Sequence, residues 1–268
     1  MARKSEGNGQ MMETGIESCI EAGIEAGIET GVDTRIETGI GMQIGASIET
    51  HIESDEELRW HKRAMRRETL ARRDALSETE QMKAAVLIAE RILEHEWFRE
   101  AGIVLGFASY GSEIRTDEIL LETLRLGKQL YLPKITGDEM FFFQVKDMGE
   151  LQVGYKGIRE PQGLGRQFVY GQLPKIPLDA SGQHEKSTED SDADKQVNKA
   201  IQVLMLMPGV AFDVARGRMG YGKGFYDRFL ADKPGLAART IGIAHNCQLV
   251  ENVPCEETDI RPAQVICV

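Results

Sequence analysis

The residues best suited to chemistry lie in one glycine-rich stretch in the last quarter of the chain. Glycines there alternate with cations and aromatic residues, in the order Gly217, Arg218, Met219, Gly220, Tyr221, Gly222, Lys223, Gly224, Phe225, Tyr226. Glycine has no Cβ, so several backbone N–H groups can converge on an anion, and a following helix adds its positive end. With the cations Arg218 and Lys223, the stretch is a predicted phosphate-binding loop.

The spacing of this stretch almost matches a known nucleotide-binding motif. A G-x4-G-K sequence begins at Gly217, but Gly224 stands where the motif needs the Ser or Thr that binds Mg²⁺. Carboxylates would therefore have to hold a metal, and Asp213 and Asp227 flank the stretch. A glycine linker at a solvent edge is the alternative, although linkers seldom alternate glycine with cations and aromatics between a strand and a helix.

Strands that alternate with helical patterns surround the stretch. Apolar or β-rich runs predict strands over residues 102–109, 128–134, 139–146, 203–207, 239–245 and 264–268. Ser77 and Glu80 form a capping box that opens a helix to about Leu93, and Thr116 is predicted to cap another over 117–126. This alternation is typical of an α/β domain with a mostly parallel sheet.

A strongly basic helix is predicted over residues 58–76. Arg59, Lys62 and Arg66 lie three and four residues apart, so they share one face. A solvated basic face and a surface for nucleic acid or an acidic membrane are both compatible with this pattern.

Residues 1–55 form a low-complexity arm in which Ile or Val recurs every four residues from Ile16 to Ile52. That period drifts by about 40° per repeat on an α-helix, so no fixed apolar face forms. Residues 1–57 hold 13 of the 43 acidic residues and 3 of the 32 basic ones, so the net charge of -11 belongs mostly to the arm. We expect a disordered arm, with an oligomerising or docking element as the alternative. The nearly neutral remainder argues against a nucleic-acid-binding module.

The sequence from Pro208 to Arg228 resembles the signature of a known enzyme family. The run Pro208-Gly-Val-Ala-Phe-Asp213, followed by the glycine stretch and Tyr226-Asp-Arg228, is similar to that of the 5-formyltetrahydrofolate cyclo-ligases, also called methenyltetrahydrofolate synthetases. Phe225 departs from it, since the family more often has Tyr there. The resemblance implies a three-layer Rossmann-like domain over 56–268. It also implies ATP-dependent conversion of 5-formyltetrahydrofolate to 5,10-methenyltetrahydrofolate, with ADP and phosphate released.

The resemblance also implies roles for individual residues. Lys62-Arg63-Ala-Met-Arg66 matches the family's basic element, so ATP is expected to bind Lys62, Arg63, Arg66 and the glycine stretch 217–226. Lys62, Arg218 and Lys223 are the candidate catalytic cations. The family places a folate-binding Glu at Glu113 and an aromatic wall near Tyr155, and Tyr226 joins them in the substrate site. From the residues alone, two alternatives stay open: Glu113 could be a solvated loop residue, and Tyr155 could be a half-buried core tyrosine.

The resemblance assigns Mg²⁺ to Asp227 and Asp259, and the role of Asp213 as metal ligand or turn cap stays open. A polar insert is predicted over 179–199. The cysteines show no metal-type spacing, and no export signal or apolar span is evident, so a cytoplasmic protein with reduced thiols is expected.

We expect a monomer or weak oligomer that binds folate and ATP, but neither nucleic acid nor membrane. Another phosphoryl-transfer or sugar-phosphate enzyme, or a nucleic-acid-binding module that uses the basic helix 58–76, are the rival interpretations.

A truncation tests the interpretation of the arm. We expect deletion of residues 1–54 to leave turnover of 5-formyltetrahydrofolate nearly unchanged, because no predicted site residue lies there. Steady-state rates of the full chain and the truncated chain give the comparison. A large loss of activity in the truncated chain would contradict the interpretation.

Overall fold

The computed structural model describes residues 55–172 and 202–268. The arm, apart from Asp55, and the insert predicted over 179–199 lie outside these ranges. The helices are α1 (Asp55–Asp74), α2 (Glu78–Glu94), α3 (Glu96–Glu100), α4 (Asp117–Arg125), α5 (Phe225–Leu230) and α6 (Pro234–Ala237). Within the described ranges, no helix combines the length and apolar character needed to cross a bilayer.

Six longer strands form the central sheet, and four short ones form two ribbons beside it. The sheet strands are β1 (Ala101–Leu105), β2 (Gln129–Thr136), β3 (Glu139–Val145), β6 (Gln202–Met207), β9 (Thr240–Ala244) and β10 (Gln264–Cys267). The ribbon strands are β4 (Leu151–Val153), β5 (Arg159–Pro161), β7 (Ala211–Phe212) and β8 (Arg218–Met219). The six sheet strands are the six that the sequence predicts, although β1 ends four residues earlier than predicted.

The sheet has the order β10-β9-β6-β1-β2-β3. Neighbouring strands run parallel from β10 to β2, and only β3 is antiparallel, because it returns directly from β2 through a turn at Gly137. The prediction of a mostly parallel α/β sheet is confirmed. The parallel register brings the carboxyl ends of β1 and β6 side by side, which is where open α/β sheets bind ligands.

Both faces of the sheet are covered, which gives three layers. Alternate residues of β6 divide between the faces: Leu204 and Leu206 join the core under α2, while Met205 and Met207 join the core under α5. Buried strands of a parallel sheet need apolar residues on both faces, and this accounts for the continuous apolar run of β6.

Two helix caps that the sequence predicts have different outcomes. The capping box of α2 is confirmed, since the Glu80 N–H donates to Ser77 Oγ (3.3 Å) and the Ser77 N–H donates to Glu80 Oε2 (2.8 Å). Thr116 is the N-cap residue of α4, as predicted, but its side chain makes no capping hydrogen bond to the helix. Its hydroxyl instead donates to the Phe107 carbonyl (2.7 Å) and accepts from the Ser109 N–H (3.3 Å), so it fixes the segment after β1.

A pair of substitutions on α2 tests the packing of the layer. Ile88 is fully buried and Val86 is 54% exposed on the same helix. Ile88→Ala should lower the free energy of unfolding by about 2–5 kcal/mol, because it leaves a cavity under the sheet. Val86→Ala should change it by less than about 0.5 kcal/mol. Urea unfolding of both variants measures the difference, and equal losses would contradict this packing.

Candidate functional site

The glycine stretch is divided between a hairpin turn and a loop. Strand β6 does not run straight into it, because the β7–β8 hairpin intervenes, and Gly217 lies in the turn of that hairpin. Residues 220–224 then join β8 to α5. Gly222 (φ +92°) and Gly224 (φ +62°) have left-handed backbone, which residues with a Cβ rarely adopt. Residues 220–224, which we call the glycine loop, can therefore turn sharply between the two elements.

Asp213 holds the hairpin in place. It is buried, and its Oδ1 accepts from the Gly217 N–H (2.7 Å) while its Oδ2 accepts from the Val253 N–H (2.8 Å). Both oxygens are therefore used by backbone donors, which links the turn to the C-terminal segment. Between the two alternatives that the sequence left open, this geometry favours the turn cap.

A cationic cavity of about 570 Å³ lies between α1, the glycine loop and the C-terminal segment. The basic face of α1 lines this cavity, so the positive charges of the helix face the glycine loop. The cavity is lined by the following predicted site residues: Lys62, Arg63, Arg66, Arg218, Met219, Gly220, Gly222, Lys223, Gly224, Asp227, Asp259. The Arg66 Nε–H also donates to the Gly220 carbonyl (2.8 Å), which ties α1 to the loop.

Two cations of this cavity, Lys62 and Arg218, make three ion pairs. Lys62 Nζ lies 2.8 Å from Asp259 Oδ2 and 3.0 Å from Glu256 Oε1, and Arg218 Nη2 lies 2.7 Å from Asp227 Oδ1. Burial lowers the pKa of Lys62, but the hydrogen bonds and charges of Asp259 and Glu256 outweigh burial and raise it. Lys62 is therefore protonated at neutral pH.

The two predicted metal carboxylates fit a metal that arrives with phosphates. Asp227 and Asp259 line the same cavity. Across residues 55–172 and 202–268, His, Cys, Asp and Glu form no group of three or more that could hold a metal by themselves. Mg²⁺ prefers one or two carboxylates completed by substrate phosphates and water, which matches such a pair.

An apolar cavity of about 300 Å³ lies on the other side of the glycine loop. All three predicted substrate residues, Glu113, Tyr155 and Tyr226, line it. Tyr221 and Phe225, which the sequence assigns to ATP together with Tyr226, also line this cavity. The two cavities share the following wall residues: Arg218, Gly220, Lys223, Gly224, Asp227. The loop is thus a thin partition between a charged and an apolar compartment.

Glu113 is the buried carboxylate of the apolar cavity. Its Oε2 accepts from the Tyr110 N–H (2.9 Å) and its Oε1 accepts from the Tyr221 hydroxyl (2.6 Å). Burial raises the pKa of Glu113, and the hydrogen bonds from Tyr221 and Tyr110 and the charge of Arg73 oppose that rise. The solvated-loop alternative for Glu113 is therefore wrong, because the residue is only 8% exposed.

Sequence reasoning missed Glu256 and Arg73. Glu256 pairs with Lys62 from a turn-rich acidic segment, where several carboxylates look equivalent. Arg73 could have been predicted from the sequence, because it follows Arg66 by seven residues, which is two helical turns along the same face of α1.

Comparisons with known proteins give one consistent family. The family model described as 5-formyltetrahydrofolate cyclo-ligase matches residues 58–268. A probable 5-formyltetrahydrofolate cyclo-ligase of Caenorhabditis elegans is 30% identical over 200 residues, covering 71% of this chain and 84% of that protein. The 5-formyltetrahydrofolate cyclo-ligase of Escherichia coli K12 is 30% identical over 198 residues, covering 73% of this chain and 93% of that protein.

Solved structures agree with the fold. The Aquifex aeolicus 5,10-methenyltetrahydrofolate synthetase superposes with a TM-score of 0.58 at 25% identity, covering 77% of this chain and 89% of that one. The Mycoplasma pneumoniae 5,10-methenyltetrahydrofolate synthetase has a TM-score of 0.52 at 19% identity, covering 76% and 97%. The second likeness supports the three-layer fold alone.

The role of Asp213 can be tested by unfolding. Asp213→Ala leaves two buried N–H donors unpaired, and we expect a cost of about 1–3 kcal/mol for each. Asp138→Ala, in the exposed β2–β3 turn, is the matched control and should leave stability nearly unchanged. Urea unfolding gives both values. Wild-type stability in Asp213→Ala would contradict the structural role.

Proposed function

The chain belongs to the 5-formyltetrahydrofolate cyclo-ligase family, and we propose that its two cavities divide the two substrates of that family's reaction between them. The reaction converts 5-formyltetrahydrofolate to 5,10-methenyltetrahydrofolate with ATP. One observation carries the proposal: a single glycine loop is the common wall of a cationic and an apolar cavity. In-line transfer needs the two reacting atoms about 3–3.5 Å apart, so the phosphoryl group and its acceptor must meet at the edge of this shared wall.

The charge of the first cavity supports ATP as its occupant. Five basic side chains line this cavity, three from α1 and two from the segment that contains the glycine loop: Lys62, Arg63, Arg66, Arg218, Lys223. Triphosphate oxygens can take over from Asp259 and Glu256 as acceptors for Lys62. Phosphate binding then replaces one set of charge-assisted hydrogen bonds by another, which limits the cost of desolvation.

The shape and lining of the second cavity support the bicyclic ring of the folate as its occupant. Tyr155 and Tyr226 offer flat apolar surface, and Glu113 offers a carboxylate that can accept hydrogen bonds from ring N–H groups. A volume of about 300 Å³ lies at the small end of ligand cavities, so it suits the ring system and leaves the rest of the folate outside.

The reaction then follows from ordinary carbonyl chemistry. The formyl oxygen is a poor leaving group, so it first attacks the γ-phosphorus of ATP, forming a phosphorus–oxygen bond as the bond to ADP breaks. N10 attacks the activated formyl carbon, and the carbon–oxygen bond breaks as phosphate leaves with the N10 proton. Phosphoryl transfer needs mainly positioning and charge neutralisation, which Lys62, Arg218 and Lys223 supply.

Asp227 and Asp259 are the proposed holders of Mg²⁺, which would neutralise part of the triphosphate charge. The remaining features stay predictions: a cytoplasmic location, a monomer or weak oligomer, and no nucleic-acid or membrane partner. The basic helix has an internal use in this proposal, since its stripe of cations faces the cavity. That use is the argument against the nucleic-acid-binding alternative.

The function is tested by adding 5-formyltetrahydrofolate, Mg²⁺ and ATP to the purified protein. The conjugated methenyl product absorbs at longer wavelength than the substrate, so its band should grow only when ATP is present. ATP binding without any growth of the band would leave the cationic cavity in place and reject the folate substrate.

Asp227 gives a sharper test of the site. Asp227→Asn keeps the shape of the side chain but removes the charge, and we expect turnover to fall by at least about 100-fold, as for other losses of transition-state charge stabilisation. Asp232→Asn is the control, because Asp232 pairs with Lys233 at the surface five residues along the same segment. Thermal unfolding checks that both variants are folded. Near-normal turnover in folded Asp227→Asn would remove Asp227 from the site.

A further inference from the structure

Arg73, in the last turn of α1, lies behind the apolar cavity and not in the cationic one. It is only 4% exposed. Its Nε–H donates to Ser112 Oγ (2.9 Å) and its Nη2–H donates to the Tyr221 hydroxyl (3.0 Å). Ser112 in turn donates to the Asp74 carboxylate. Arg73 is thus a buried cation that donates to the neighbour of Glu113 and to Tyr221, which bonds Glu113, and ATP binding does not account for this placement.

The chemistry of the donors fixes the direction of this chain of hydrogen bonds. A guanidinium has donors and no acceptor, so the Tyr221 oxygen must accept from Arg73. The single hydroxyl proton of Tyr221 is then left for Glu113 Oε1, 2.6 Å away. The other oxygen of Glu113 accepts from the Tyr110 N–H. Both carboxylate oxygens therefore receive a donor, which is the pattern that favours the ionised form.

We propose that Arg73 and Tyr221 are positioning residues that hold Glu113 as an ionised hydrogen-bond acceptor facing the folate. This inference rests on the proposed function, in which Glu113 binds the folate ring. Each oxygen of Glu113 uses one lone pair on the protein and keeps another for the substrate. Tyr221 lines the same cavity as Glu113, so the chain of hydrogen bonds also fixes part of the cavity wall.

The groups around Glu113 determine what losing this support would do. Arg73 faces it from α1, Tyr221 from the glycine loop, and Tyr226 from α5, with Arg218 stacked on the ring of Tyr226 at 5.6 Å. His245 lies near Arg73, and burial together with the charge of Arg73 lowers the pKa of His245. Burial raises the pKa of Glu113, whereas Tyr221 and Arg73 hold it down. Removing either residue should therefore raise the pKa of Glu113 further.

The test uses Tyr221→Phe, Arg73→Met and the double variant in the full chain. Arg72→Met is the matched control, because Arg72 is the exposed neighbour on the same helix and donates to Thr69 one turn earlier. kcat/KM for 5-formyltetrahydrofolate is measured against pH at saturating ATP, and KM for ATP is measured separately. Thermal unfolding identifies any variant that does not fold. If Arg73→Met fails to fold, Tyr221→Phe carries the test.

We expect each single variant to lose about tenfold in kcat/KM for the folate, the size of one hydrogen bond to a charged group. The acidic limb of the pH profile should move to higher pH, because a carboxylate with a raised pKa becomes ionised only at higher pH. KM for ATP should stay within about twofold, and the double variant should lose no more than a single one, because both act through one chain of contacts.

Three results would overturn the inference. They are an acidic limb that does not move, a rise in KM for ATP as large as the fall in kcat/KM for the folate, and losses of kcat/KM that add up in the double variant. Glu113→Gln separates this failure from failure of the proposed function. Impaired Glu113→Gln with normal Tyr221→Phe and Arg73→Met would reject only the positioning role. Wild-type kcat/KM in Glu113→Gln would reject the folate-binding role of Glu113 and the inference with it.

Discussion

The left-handed backbone at Gly222 and Gly224 is the constraint on which the rest of the site depends. It lets residues 220–224 cross between β8 and α5 as a loop one chain thick, so that one segment borders both cavities. A Cβ at Gly222 would lie 3.5 Å from the guanidinium carbon of Arg66, and the φ of +92° would be strained for any residue that carries one.

Two cations of the site already have carboxylate partners in the protein. Lys62 is paired with Asp259 and Glu256, and Arg218 is paired with Asp227. Arg218 is almost fully buried, so its charge would be costly without a partner. The ion pair with Asp227 therefore stabilises this wall of the cavity. The arriving triphosphate and its metal can exchange partners with these pairs. Binding then includes a rearrangement of the charge–charge contacts of Lys62 and Arg218.

The sequence was informative wherever a pattern was local and strongly periodic. The six apolar runs became the six strands of the sheet, and the capping box at Ser77 became the start of α2. Thr116 stands at the predicted N-cap position of α4, but its hydroxyl donates to the Phe107 carbonyl and does not cap the helix, and no local pattern reports such a tertiary contact. The β7–β8 hairpin was missed because two-residue strands have no measurable periodicity.

The division of the glycine stretch between two cavities was equally beyond local reasoning. Motif spacing groups Tyr221, Phe225 and Tyr226 with the phosphate-binding residues, but the side of the loop to which each side chain points depends on the packing of α5 against the sheet. Arg73 is a different case. The helical period of α1 places it on the face of Arg66, but its position behind Glu113 depends on how α1 packs against the glycine loop.

The central claim is that the phosphoryl group passes directly from ATP to the formyl oxygen, at the border between the two cavities. It is tested most directly with 5-formyltetrahydrofolate that carries ¹⁸O in the formyl group, with unlabelled ATP and water. Direct transfer predicts that the released phosphate contains the ¹⁸O, which the isotope shift of its ³¹P resonance reports. Unlabelled phosphate formed together with the methenyl product would contradict the claim, because the formyl oxygen would then have left without ever being bound to phosphorus.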